Sequence, residues 1–274
     1  MSYLEKAFGI KDKIIAITGG SGILGGEIAK GFLQAGAQVI LLDKNGEKLN
    51  SKVKSLRKFR NKVSGLICNV LQEDELKAIN KQIVEKFKRI DVLINAAGGQ
   101  IAGTTLNIDQ SVFDLSISDF NKVTELNLVG TVLPTLVFGK TMAEQRSGSI
   151  INISSMASIR AISRVVGYSA AKAAVDNFTK WMAVEMAMKF GNGIRVNAIA
   201  PGFFITNQNR KILINKKGNY TARANSIVKM TPFKRFGKPE ELVGVTLFLA
   251  SEASKFITGT VIPVDGGFSV FSGV

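Results

Sequence analysis

The chain has 274 residues with 46% hydrophobic and 21% charged content, a globular composition that excludes a disordered chain and is long enough for a single large α/β domain. Thirty-six Lys and Arg against 21 Asp and Glu give a net charge of +15, but the basic residues are scattered and Lys-rich, so no nucleic-acid partner is expected. One cysteine and no histidine exclude an intrachain disulfide and a catalytic His, and no metal is expected.

The N-terminus carries mixed charge and is read as running directly into a strand, with no apolar segment of a signal peptide. Apolar runs are short, so no membrane span is expected and the protein is placed in the cytoplasm. Strands are expected at Lys13–Thr18, Ala37–Asp43, Val63–Cys68, Asp91–Asn95, Gly148–Ser154, Ile194–Ile199 and Thr260–Val264. Helical periods fill Gly22–Gln34, Gly46–Phe59, Glu73–Lys88, Ser118–Arg146, Tyr168–Phe190 and Pro239–Ala250. The alternation predicts an α/β fold: a Rossmann-type, doubly wound, seven-stranded parallel sheet with helices on both faces. No linker divides residues 1–274, which read as a single domain. Phe203–Phe236 interrupts the alternation, and an excursion at a strand's C-terminal edge is a natural place for substrate contacts.

Chemistry begins at the first strand–helix turn, Thr18-Gly19-Gly20-Ser21-Gly22-Ile23-Leu24-Gly25. Gly20-x-Gly22-x-x-Gly25 between a strand and a helix allows close approach of a pyrophosphate to the unpaired N–H groups of a helix start. Asp43 closes the second strand, where a carboxylate accepts bonds from ribose hydroxyls and favours NAD, while Lys44 keeps NADP open.

Tyr168 and Lys172 are spaced i, i+4 at a helix start and share one face. An adjacent ammonium stabilises the phenolate and lowers the tyrosine's pKa. Ser155 follows the fifth strand, so its hydroxyl is expected at the C-terminal edge of the sheet. Asn127 is an amide among apolar helical neighbours and requires a specific partner.

These residues, with Asn95-Ala96-Ala97-Gly98 after the fourth strand and Pro201-Gly202 with Thr206 after the sixth, resemble the compact branch of the short-chain dehydrogenase/reductase family over the whole chain. The resemblance implies a catalytic tetrad of Asn127, Ser155, Tyr168 and Lys172. In it, Tyr168 exchanges the proton of a secondary alcohol, Ser155 holds the substrate oxygen, and Lys172 lowers the Tyr168 pKa and binds the nicotinamide ribose. Asn127 supports a water that leads protons from Lys172 to solvent. It assigns Gly19, Gly20, Ser21, Gly22, Ile23, Leu24, Asp43, Asn69, Val70, Asn95 to Gly98, Tyr168, Lys172, Pro201, Gly202, Phe204 and Thr206 to NAD, with NADP possible. Two departures stand out: Ile23 replaces a usual Gly, and Asn69 stands where an Asp often contacts adenine.

Within the family, the glycine turn, Pro201–Arg210 and Val264–Val274 resemble sugar-acid enzymes of the D-mannonate oxidoreductase, or fructuronate reductase, type. That implies an anionic sugar-acid substrate, with Gln100, Ser155, Arg160, Arg164, Asn207 and Arg210 as candidate contacts and Arg210 or Arg160 as the carboxylate anchor. A gluconate or other polyol dehydrogenase, a 3-oxoacyl reductase, and a nucleotide-sensing or nucleic-acid-binding protein on the same fold remain alternatives. Family resemblance also suggests a homotetramer built on the two long helices, with the tail Phe268–Val274 at a subunit contact.

Overall fold

A computed structural model of the chain describes residues 2–59, 62–101, 103–206 and 209–273. Seven parallel strands form one sheet: β1 (Ile14–Thr18), β2 (Gln38–Asp43), β3 (Val63–Ile67), β4 (Val92–Asn95), β5 (Gly148–Ile153), β6 (Ile194–Pro201) and β7 (Val261–Val264). Their order, β3-β2-β1-β4-β5-β6-β7, reverses direction between β1 and β4. A doubly wound sheet opens a crevice at that reversal, beyond the C-terminal strand ends.

The strands are apolar at nearly every position because both faces are covered. In β1 and β2, Ile15, Ile17, Val39 and Leu41 enter one core and Ile14, Ala16, Ile40 and Leu42 the other, following the two-residue period of a strand. The first core takes its helical side chains from α2 (Ile23–Gln34), through Ile28 and Phe32, and from α3 (Gly46–Leu56), through Leu49. The second is closed by α4 (Glu73–Phe87), through Leu76 and Ile83, and by Phe138 and Met182 on the two long helices described next.

The helix expected at Ser118–Arg146 has three parts: α5 (Ile117–Thr124), a π-helical turn Glu125–Val129, and α6 (Gly130–Gln145). By length and composition alone this continuous run of 29 residues could cross a membrane, yet 56% of its apolar window is buried inside the protein. It packs as a core helix beside α7 (Val166–Phe190). The last long segment begins as a 3-10 turn, Pro239–Leu242, before the α-helix Val243–Ala250.

A short helix, α1 (Tyr3–Phe8), precedes β1, correcting the reading of the N-terminus as leading straight into a strand. Its signal is a capping box: the Glu5 N–H donates to Ser2 Oγ at 3.2 Å, and the Ser2 N–H donates to Glu5 Oε2 at 2.6 Å. The excursion after β6 contains α8 (Arg210–Leu213) and α9 (Ala222–Met230) around a small core of its own, made by Leu213, Ala224, Ile227 and Phe236.

A polar ladder runs beneath the crevice. Register places Thr18 beside Asn95 and Asn95 beside Asn152. Asn95 Nδ2 donates to Asn152 Oδ1 at 2.9 Å and to Thr135 Oγ1 on α6 at 2.8 Å, while Asn152 Nδ2 donates to Thr179 Oγ1 on α7 at 2.9 Å. Buried amides cost free energy unless paired, so these bonds fix both helices against the strand ends.

Candidate active site

Thr18 ends β1 with its hydroxyl accepting from the N–H groups of Ala96 and Ala97 at 3.1 and 3.2 Å, which joins the glycine turn to the loop after β4. Gly19 has φ +63°, and a Cβ there would lie 2.7 Å from the Ala96 carbonyl oxygen; one on Gly25 would lie 2.7 Å from the Gly19 carbonyl oxygen. Backbone thus packs against backbone, and Gly22 begins α2 without a side-chain cap or a first-turn acid. Such a helix start retains N–H donors and a positive dipole end, a fit to the diphosphate of a dinucleotide. Ile23 opens α2 and Leu24 reaches the cleft wall, so the Ile-for-Gly departure leaves the turn intact.

Ser21 faces Asp43 at the end of β2. Its hydroxyl donates to Asp43 Oδ2 at 2.5 Å and its N–H to the same oxygen at 3.3 Å, while the Asn45 N–H holds Oδ1 at 3.1 Å. A fixed carboxylate here repels a 2′-phosphate. Asp43→Ser is expected to lower the NADH:NADPH ratio of kcat/KM by at least about tenfold, the size of one lost charge-assisted contact; an unchanged ratio would remove Asp43 from cofactor selection. Asn69 uses its side-chain oxygen on the Leu71 N–H at 3.2 Å, and Val70 is buried near Gly130.

The four tetrad candidates come from three segments: the π-helical turn, the end of β5 and the first turns of α7. Asn127 lies in the π-helical turn, fully buried, and grips Gly99 at both ends: Oδ1 accepts from the Gly99 N–H at 2.8 Å and Nδ2 donates to the Gly99 oxygen at 2.9 Å. Its second amide hydrogen reaches the Val123 carbonyl at 2.8 Å. The partner that this amide required is therefore the glycine loop after β4, where a Cβ on Gly98 would fall 2.7 Å from Asn127 Oδ1.

Ser155 is extended at the end of β5, with Oγ accepting from the Ala157 N–H at 3.1 Å and also bonding the Tyr168 hydroxyl. Lys172 is buried on α7, its ammonium 2.8 Å from the Ile153 carbonyl oxygen and 5.7 Å from the Tyr168 ring centre. Burial pulls its pKa down to about 8, opposed by the charge of Asp176 one turn later. Burial also pushes the Tyr168 phenol up, against the smaller lowering effect of Ser155. In the chain by itself, burial and Ser155, not the lysine, set the direction of the Tyr168 shift.

Ser155, Tyr168 and Lys172 open onto a cleft of about 570 Å³, whose wall also includes Ala96, Gly98, Pro201, Gly202, Phe204 and Thr206. Thr206 is set by its N–H, which donates to Asn209 Oδ1 at 2.8 Å. Of the substrate candidates, Gln100 and Arg164 line this cleft. Arg160 and Arg210, expected as carboxylate anchors, do not: Arg160 is exposed and donates to the Phe271 carbonyl at 3.3 Å, and Arg210 is exposed at the start of α8. Asn207, with Gln208, lies outside the described residues.

Sequence reading passed over Arg223, which reaches the cleft from α9. The available signal was its place in the excursion just after the N-cap Thr221. It also passed over Asn152, Thr135 and Thr179, polar residues in apolar surroundings of the kind that singled out Asn127.

A family model described as enoyl-(acyl carrier protein) reductase matches residues 20–269. The chain is 41% identical over 271 residues to the uncharacterized oxidoreductase UxuB of Bacillus subtilis, covering 96% of each protein. It is 37% identical over 261 residues to the 3-oxoacyl-[acyl-carrier-protein] reductase FabG of Thermotoga maritima, covering 95% of this chain and 99% of that one. Among solved structures, a protein provisionally named D-mannonate oxidoreductase from Haemophilus influenza, with NAD bound, superposes with a TM-score of 0.89 at 41% identity, over 97% of this chain and 98% of that one. The chain belongs to the short-chain dehydrogenase/reductase family of NAD(P)-dependent oxidoreductases that act on CH–OH groups.

Proposed function

We propose that this oxidoreductase interconverts a secondary alcohol and a ketone on a sugar acid, the D-mannonate and D-fructuronate pair. The observation that carries the reading is the charge of the cleft: Arg164, Lys172 and Arg223 line it, and among the described residues no Asp or Glu does. Gln100, Thr105, Thr206 and Asn209 add hydrogen-bonding groups suited to hydroxyls. A cationic wall attracts an anionic substrate and disfavours a neutral one of the same shape.

In this reading NAD(P) would be held by Gly19 to Leu24, Asp43, Asn69, Val70, the loop Asn95–Gly98, and Pro201 to Thr206. NAD(P), when bound, supplies the donor or acceptor of hydride. Ser155 holds the substrate oxygen by a hydrogen bond, and Tyr168, kept protonated by burial, delivers its proton to that oxygen as the ketone is reduced. Lys172, anchored on the Ile153 carbonyl, presents positive charge to the phenolate left behind. Asn127 acts through Gly99, fixing the loop that forms one side of the cleft. The test is a panel of D-fructuronate, a 3-oxoacyl thioester and uncharged ketoses with NADH and NADPH. Preference for D-fructuronate with NADH is expected, and preference for the thioester contradicts the substrate assignment.

We further propose that copies of the chain associate through α6 and α7 into a homotetramer. Trp181, Val184 and Met188 form an exposed stripe on α7, at 60%, 58% and 80% exposure, and Leu136 on α6 is 52% exposed. Stripes of this size on long helices are characteristic of association surfaces. Light scattering after size exclusion should give four chains for the wild type and a smaller species for Trp181→Glu; equal masses for both proteins would exclude this surface.

A further inference from the structure

Arg164 stands in the loop between β5 and α7, close before Tyr168, with φ +74°, a left-handed conformation uncommon for a residue with a side chain. It is held there from both ends by Leu106: its carbonyl accepts from the Leu106 N–H at 3.0 Å, and its Nε donates to the Leu106 carbonyl. Such a conformation persists where the surroundings over-determine it, and these cases cluster at ligand clamps. Arg223 approaches from α9 in the excursion. Its two terminal nitrogens donate to Ser163 Oγ at 3.3 Å and to the Ser163 carbonyl at 3.4 Å, next to Arg164.

Both guanidinium groups therefore reach the cleft that holds Ser155 and Tyr168, and both rest on neutral oxygens. Among the described residues neither forms an ion pair. The Arg223 pKa is lowered by burial and then by the like charge of Arg164. Two adjacent cations without a protein counterion repel each other, and an anion between them removes that cost while accepting from their remaining N–H donors.

We infer that Arg164 and Arg223 together form a carboxylate subsite that anchors the acid end of the substrate. The ligand's identity rests on the sugar-acid reading above, but the subsite's existence does not. Anchoring the acid end fixes which carbinol or carbonyl carbon comes to Ser155 and Tyr168. It also ties three separate segments together: the loop after β4 through Leu106, the loop after β5, and the excursion through α9. The excursion thus selects the substrate through Arg223 rather than through Arg210.

The test compares the wild type with Arg223→Ala, Arg223→Gln and Arg223→Lys, using D-fructuronate and, as an acid without sugar character, acetoacetate. Gln retains hydrogen bonding toward Ser163 without the charge, so it separates anion binding from a structural role. Thermal melting of each variant reports its folding. Loss of a charge-assisted pair predicts a rise of about 10–100-fold in KM for the acid in both Ala and Gln, partial recovery in Lys, and an unchanged KM for NADH. An unchanged KM for the acid in Ala, wild-type behaviour in Gln, or a parallel rise in the KM for NADH overturns the subsite. Turnover of acetoacetate alone, with the same Arg223 dependence, supports the subsite while refuting the sugar-acid reading. Turnover of D-fructuronate without that dependence does the reverse, and turnover of neither acid defeats both.

Discussion

Tyr168→Phe is expected to lower kcat by about 10²–10⁴-fold, the usual contribution of a positioned general acid or base. The substitution removes one oxygen and keeps the ring beside Lys172, so the ammonium should retain its bond to the Ile153 carbonyl. Fluorescence titration should therefore find NADH affinity close to wild type, which separates loss of the proton donor from loss of the site. The pH profile follows from the raised phenol: ketone reduction requires the protonated form and should slow as pH rises through its pKa, whereas alcohol oxidation should quicken over the same range. Lys172 loses its charge as pH rises through about 8, which weakens its support of the phenolate. Retention of wild-type kcat in Tyr168→Phe would remove Tyr168 from the chemistry.

Gly19→Ala should be the most damaging conservative change in the cofactor half. Its φ of +63° imposes a cost of about 1–2 kcal/mol on any residue with a Cβ. The Cβ would also lie 2.7–2.8 Å from the backbone of Ala96 and Ala97. That backbone is fixed by Thr18 and by the strand register, so it cannot yield as a flexible side chain would. Overpacking of this kind adds about 1–3 kcal/mol, giving a total of about 2–5 kcal/mol. Differential scanning calorimetry should show the destabilisation, and calorimetric titration should show weakened NADH binding. A variant with wild-type melting and NADH affinity would show that the turn tolerates a side chain.

Much of the fold was legible because its signals are local and periodic. All seven strands were found within two residues of their ends, since a sheet covered on both faces leaves conspicuous apolar runs between helical periods. The tetrad candidates were legible for a different reason: a phenol and an amine one helical turn apart, an amide among apolar neighbours, and a hydroxyl at a strand end each require partners that the topology can supply. What escaped depends on relations between distant segments. The π-helical turn that carries Asn127 has the composition of an ordinary helix. Arg160, Arg210 and Arg223 look equivalent in sequence, and only the folding of the excursion brings Arg223 to the cleft while leaving Arg160 on the Phe271 carbonyl. Spacing reveals the charge beside Tyr168 but not the desolvation that raises its phenol in the chain by itself.

The proposed reaction is reduction of a keto sugar acid at the carbon whose oxygen Ser155 would hold, and it rests on the charge pattern of the cleft. Incubation with D-fructuronate and NADH deuterated at the transferable C4 position, read by mass spectrometry and NMR, tests it most directly. The prediction is D-mannonate carrying one deuterium at the new carbinol carbon in the wild type, with little or none formed by Tyr168→Phe. Unlabelled product, or no product from D-fructuronate while another ketone is reduced, would contradict it.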